Sequence, residues 1–228
     1  MLGAFCFLIA VQTGPKDFQE LAKQSRAAYA SLKGYRDEWT LAGDDGKDAM
    51  SVRRRFDGGR RMCETRVQGD LTVVDGSDGK TDYNVMVPMK MYSQGPHRAG
   101  EETPSPKVDP GSCSFTIDAS GYSFASDPPI PILSVVTGEF KGRQVRHALG
   151  RVANSGGTAQ VDLLFWPNAW ILCDATITTT LTKGEKSVLH WVAKSIETNV
   201  KFGPKDFALD PSLIKGFTRL PEGSFGGG

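Results

Sequence analysis

Residues 71–92 read LTVVDGSDGKTDYNVMVPMKMY, and this stretch decides the fold class. Residues 71–75 alternate as a strand does and run into glycine. Asp75-Gly76-Ser77-Asp78-Gly79 then concentrates turn-forming residues: Asp and Ser side chains bond nearby backbone, and Gly accepts positive φ. The spacing of the acidic residues does not fit a calcium loop, so a tight hairpin turn is the reading. Residues 83–92 are aromatic and apolar again. Met86, Met89 and Met91 stand together there, out of 6 methionines in the chain. Flexible thioethers line surfaces that accept variable apolar shapes; a plain core strand with a bulge at Pro88 explains them equally well.

Upstream the same texture repeats. In residues 35–41, Tyr35, Trp39 and Leu41 fall on one face and Arg36, Glu38 and Thr40 on the other. After a turn at Gly43-Asp44-Asp45-Gly46, Met50, Val52 and Phe56 alternate with Ser51, Arg53 and Arg55. Asp57-Gly58-Gly59 turns the chain into residues 60–67. This is the pattern of an antiparallel meander. Arg53-Arg54-Arg55 and Arg60-Arg61 form a basic patch in the sequence, but strand alternation distributes such arginines over both faces. Downstream, residues 95–114 carry Pro, Gly, Ser and charge without period and read as a surface loop. Asp127-Pro128-Pro129-Ile130-Pro131 opens a second irregular region, with a short helix expected at 132–140. Strands resume near 160–166, 169–182 and 187–200, with a hairpin turn at Lys183-Gly184-Glu185.

Ahead of these strands, Phe18, Leu21, Ala22, Ser25, Ala28, Tyr29 and Leu32 lie at three- and four-residue spacing, the stripe of an amphipathic helix. Thr13 or Gly14 is the expected cap, Pro15 the first turn and Gly34 the end. Residues 2–11 are apolar or Gly. That run is too short to span a bilayer as a helix and matches the hydrophobic region of a secretory signal; an N-terminal buried strand is the alternative. The expected organisation is a signal peptide at 1–14, a single domain at 15–222 and a flexible Gly-rich tail at 223–228. Removal of the leader with Cys6 leaves Cys63, Cys113 and Cys173. At most one bridge can form among them, and buried inert thiols account for them as well.

The net charge of +1 argues against nucleic acid as a partner, since phosphate neutralisation needs a basic face. With 39% hydrophobic and 23% charged residues, the chain is neither disordered nor polytopic. His97, His147 and His190 are scattered, without metal-ligand spacing. Gly121-Tyr122-Ser123 begins like a nucleophile elbow, but Ala125 stands where the second glycine belongs. Gly79-Lys80-Thr81 ends like a phosphate-binding loop, but Val74 replaces its first glycine. No cofactor is implied, and the expectation is a protein that is not an enzyme. Trp166, Trp170 and Trp191 add large apolar area, as core or at the mouth of an apolar cavity.

An amphipathic helix, strands with an Arg-rich hairpin, and the stretch at 71–92 together resemble the periplasmic lipoprotein-carrier family, the LolA/LolB-like fold. The Ser77-Asp78-Gly79-Lys80-Thr81 turn and the strand after it carry the likeness, with the closing VKFGPKDFALDP (Phe207, Leu209). The resemblance implies an α+β fold: a curved antiparallel sheet forming an incomplete β-barrel, covered by the N-terminal amphipathic helix and short additional helices. It also implies an apolar hollow for a lipid or the acyl chain of a lipoprotein, a periplasmic or extracellular location, and a membrane-anchored donor or acceptor protein as a partner. The expected ligand-binding residues are Trp39, Leu41, Val52, Phe56, Met89, Met91, Leu164, Trp166 and Trp191. Arg60 or Arg61 corresponds to the arginine that the carriers use in gating. A regulatory module of the same fold that senses lipid or lipoprotein is the alternative, with a secreted hydrolase third.

Overall fold

The apolar stripe near the N-terminus folds as helix α1 (Phe18–Ala30), burying Phe18, Leu21, Ala22, Ser25 and Tyr29. Its cap is Asp17 rather than Thr13 or Gly14. The Asp17 carboxylate accepts from the Glu20 amide at 2.8 Å, and the Glu20 carboxylate accepts from the Lys16 amide at 2.8 Å. An aspartate with extended backbone satisfies the orphan amides of a first turn directly. This computed structural model describes residues 15–42, 48–57, 61–97, 113–118, 121–154, 157–167, 169–222 and 224. The proposed leader, and all of the tail but Ser224, lie outside them.

Strands β1 (Tyr35–Ala42), β2 (Asp48–Phe56), β3 (Arg61–Gln68), β4 (Leu71–Asp78), β5 (Thr81–Met86) and β6 (Met91–Pro96) form one antiparallel meander. A separate hairpin, β7 (Cys113–Asp118) and β8 (Gly121–Ser126), follows. A second meander, β9 (Ile132–Phe140), β10 (Arg143–Asn154), β11 (Gly157–Phe165), β12 (Leu172–Leu181) and β13 (Lys186–Thr198), returns the chain to β1. With β14 (Thr218–Leu220) parallel to β6, the result is a 12-stranded sheet with β14 and β9 at its edges. The sheet curves but does not close, as expected.

Three expectations fail here. Residues 132–140 are strand β9, not a helix: Ile132, Val135, Val136 and Thr137 are β-branched, and β10 offers a complete ladder. The described helical elements are α1 and a short 3₁₀ turn at Pro204–Asp206, so the additional covering helices are missing among the described residues. Residues 83–92 are not one strand either. A turn separates β5 from β6, because Pro88 lacks an amide and Lys90 sits at φ 50°.

The sheet is covered on both faces. Val52, Arg54 and Phe56 share a face with Tyr35, Asp37 and Trp39, their partners across the β1–β2 ladder. Toward this inner face pack α1 and the β7–β8 hairpin, through Phe18, Leu21, Phe115, Tyr122 and Phe124 against Trp39, Val161, Leu163, Phe165 and Trp191. On the opposite face, Cys63, Val74, Tyr83 and Val85 are covered by Phe207 and the C-terminal segment around it. The Tyr83 hydroxyl donates to the Phe207 carbonyl at 3.0 Å.

Candidate functional site

The inner face carries a polar row, whose Asp37–Arg54 end lies beneath α1 and the hairpin. Asp37 pairs with Arg54, Arg54 with Glu64, Glu64 with Asp75, Asp75 with Asn84 and Asn84 with Ser93, one residue from each strand of the first meander. In-register partners share a face, so these side chains cross the sheet as one line. The line faces inward beside the apolar wall of β10–β13. The inner face is therefore amphipathic.

Arg54 is the centre of this row. Its side chain and that of Asp37 are both 0% exposed. Arg54 Nε donates to one Asp37 oxygen at 2.9 Å, and a second guanidinium nitrogen bonds the other oxygen. Nη1 donates to the Gly121 carbonyl of β8 at 2.7 Å. The guanidinium lies over the rings of Tyr29 in α1 (5.9 Å) and Tyr35 in β1 (5.7 Å). Burial works against its charge, but the attraction and hydrogen bonding of Asp37, together with Tyr35 and Tyr29, outweigh it and hold the Arg54 pKa well above the ordinary arginine value. One side chain thus ties sheet, helix and hairpin together. Asp37 is held in turn by the Trp39 indole N–H at 2.9 Å.

Further along the row, burial raises the pKa of Glu64, against the pull of Arg66, and likewise that of Asp75. Asn84 donates to Asp75. Ser77, His97 and Asp82 also meet, but Ser77 Oγ at 3.1 Å and Asp82 at 2.7 Å share one ring nitrogen, Nδ1 of His97. A hydrolytic relay needs its acid and its nucleophile on different nitrogens, so this trio does not form one. His147 contacts Asp162, and His190 contacts Asp174 at 3.1 Å. Among the described residues no cluster of three or more ligating side chains could hold a metal ion.

The predicted lining residues do not converge on one open hollow. Trp39, Val52 and Trp191 are on the inner face but fully packed beneath α1 and the hairpin; Leu41 packs at the border of the same cluster. Phe56 lies with Tyr29 and Tyr35 near the end of α1, and Trp166 borders that group. Leu164 shares its face with Asp162, opposite to buried Leu163 and Phe165. Met89 is 60% exposed in the β5–β6 turn, and Met91 is half-buried in β6. Arg60 lies outside the described residues. Arg61 pairs with Asp57 and covers the Phe207 ring at 5.0 Å, away from the inner face. The arginine that fastens the cover is Arg54, which sequence reasoning passed over. Its signal was the i, i+2 alternation with Val52 and Phe56, which placed one arginine of Arg53-Arg54-Arg55 on the apolar side.

No family model and no curated protein matches the chain. Among solved structures, it is similar to a domain from Vibrio parahaemolyticus designated as an outer membrane lipoprotein-sorting protein. The identity is 11%, the match covers 86% of this chain and 97% of that one, and the TM-score is 0.29. A likeness of that size transfers neither fold nor ligand, so what this chain binds has to be read from its own residues.

Proposed function

We propose that this protein is an exported binder of an amphiphile, a lipid or the acyl chain of a lipoprotein, and performs no chemistry on it. The observation that carries the reading is how the inner face is covered. Neither α1 nor the β7–β8 hairpin belongs to the 12-stranded sheet. Their backbone links to it are an isolated bridge at Asp17 and Pro131 and the flanking amide bonds of Phe18 and Ile132. Among the described residues they are otherwise held by apolar packing, by the Arg54 latch and by a few side-chain bonds, among them Ser25 Oγ to the Trp170 carbonyl and Tyr29 to the Leu172 backbone. Their withdrawal would leave every sheet ladder intact and open an apolar wall at Trp39, Val52, Val161, Leu163 and Trp191. The polar row beside that wall would then meet a headgroup. Burial of an acyl chain contributes about 0.8 kcal/mol per CH₂, enough for a long chain to offset the displaced contacts. Export rests on the apolar run at residues 2–11.

Native mass spectrometry after incubation with diacyl phospholipid or a triacylated lipopeptide tests this reading. One lipid retained per chain is the expected result; recovery of lipid-free protein alone contradicts it.

A second reading, a module that senses lipid or lipoprotein and binds a membrane-anchored partner, is favoured by β9. This edge strand exposes Leu133, Val135 and Val136, and an open edge with apolar side chains is a template for strand addition. A stable partner in a pull-down that β9 substitutions abolish, with no lipid retained, would select it.

A further inference from the structure

We infer that the protein has a second ligand site, bordering the aromatic group at the end of α1 but lined by no residue of the cover, which takes a single-chain anionic amphiphile of the long-chain carboxylate class. The site is a cleft of about 410 Å³ between the tip of the β9–β10 hairpin and β13. That volume falls in the range of about 300–1,000 Å³ typical of small-molecule sites. No residue of α1, β7 or β8 lines it.

Its chemistry is divided. Phe140, Val145, Trp166 and Ile196 supply apolar surface, with Val145 only 3% exposed. Lys141, Arg143 and Lys194 supply cations. The acidic lining residue, Glu197, is already bonded to Arg36 at 2.8 Å, so it does not neutralise them. The nearest acid to Lys194 is Asp48 at 3.7 Å, and both side chains are about half exposed, so that pair is weak. Lys141 Nζ donates to the Ala193 carbonyl at 3.2 Å, which fixes the hairpin tip across the cleft and leaves two of its three ammonium protons for other acceptors.

Arg143 points most directly to the ligand. Its guanidinium stands over the Trp166 ring, 5.8 Å from the centroid, and among the described residues it has no carboxylate partner. A guanidinium stacked on an indole keeps its N–H edge free for a planar carboxylate, while the same indole offers a face to hydrocarbon. Neither a small anion nor a neutral alcohol satisfies both halves. The Cys173 thiol also lines the cleft; burial pushes its pKa up to about 12, so it is an inert part of the wall and no nucleophile.

Calorimetric titration with laurate, dodecanol and acetate, each below any micellar concentration, tests the proposal. Laurate should bind at one site and change the fluorescence, with that change lost in Trp166→Phe. Acetate and dodecanol should each bind at least tenfold more weakly. Arg143→Gln, a change at an exposed position, should weaken laurate about tenfold, the equivalent of about 1.4 kcal/mol for a charge-assisted contact. Laurate and dodecanol binding alike, or laurate binding Arg143→Gln as it binds the unaltered protein, would overturn it. The inner face and the cleft are separable: a diacyl lipid exceeds the cleft and reports on the inner face. Failure of either assay leaves the other reading standing.

Discussion

The Arg54 guanidinium and the Asp37 carboxylate face each other across the β1–β2 ladder with no solvent exposure, bonded through two nitrogens to two oxygens. Two charges removed from water cost several kcal/mol each, so such a pair adds little net stability, yet removing one partner strands the other. Arg54→Met should therefore destabilise the protein by about 3–5 kcal/mol, and Asp37→Leu combined with Arg54→Met should recover much of that loss. Urea unfolding of the single and double variants measures both. Equal stability of Arg54→Met and the unaltered protein would show that the latch holds nothing.

At Gly150 on β10, Phe18 of α1 presses directly on the sheet backbone. A Cβ there would lie 2.3 Å from the Phe18 ring and 2.6 Å from the Pro131 carbonyl. The ring can turn, but the carbonyl is backbone. Gly150→Ala should cost about 1–3 kcal/mol by overpacking and loosen α1 before it loosens the sheet. Amide exchange, read along the helix and along β11–β12, distinguishes local from global loss.

Burial raises the pKa of Glu64, Asp75 and Asp174, with Arg66 opposing it at the first two and His190 at the third. A carboxylate whose folded pKa exceeds its unfolded value binds protons more readily when folded. Its stability contribution is complete below the unfolded value near 4 and is lost as pH rises through the raised folded value. These groups should make the protein more stable as pH falls from neutral toward the unfolded carboxylate value near 4. Glu64→Gln should flatten that dependence, read as the difference in unfolding free energy between the two proteins at each pH.

The thiols give a simple check on packing. Cys63, Cys113 and Cys173 are all free, and burial raises the pKa of Cys113 and brings that of Cys173 to about 12. Because the thiolate is the reactive form, Cys173 in the folded protein should react with a disulfide reagent at pH 8 far more slowly than a free cysteine. All three should react once the chain is unfolded. Rapid labelling of folded Cys173 would contradict the packing around β12.

The first meander was legible because Tyr35, Trp39, Val52 and Phe56 alternate cleanly with charged neighbours. The second was not. β10 mixes Arg146, His147, Gly150 and Arg151 among its small apolar residues, so its inward positions, Ala148 and Gly150, carry almost no hydrophobic signal. They are small because Phe18 and Ile130 press against that strand, which only the packed structure reveals. β9 was hidden by the prolines before it. Of the site, the inward aromatics were readable from alternation, but not what covers them. Arg54 hid among its neighbours because a buried arginine becomes plausible only once Asp37 stands opposite it. The cleft joins residues from four separate strand regions through a hairpin tip, and no local pattern announces such a meeting.

An amphiphile that binds the inner face has to displace α1 and the β7–β8 hairpin from it. Hydrogen exchange with and without bound diacyl phospholipid tests it most directly. Exchange should be faster in α1 and β7–β8 when lipid is bound, and unchanged or slower in β1 and β10–β13. Lipid bound while α1 stays fully protected, or no lipid bound at any concentration below aggregation, would contradict it.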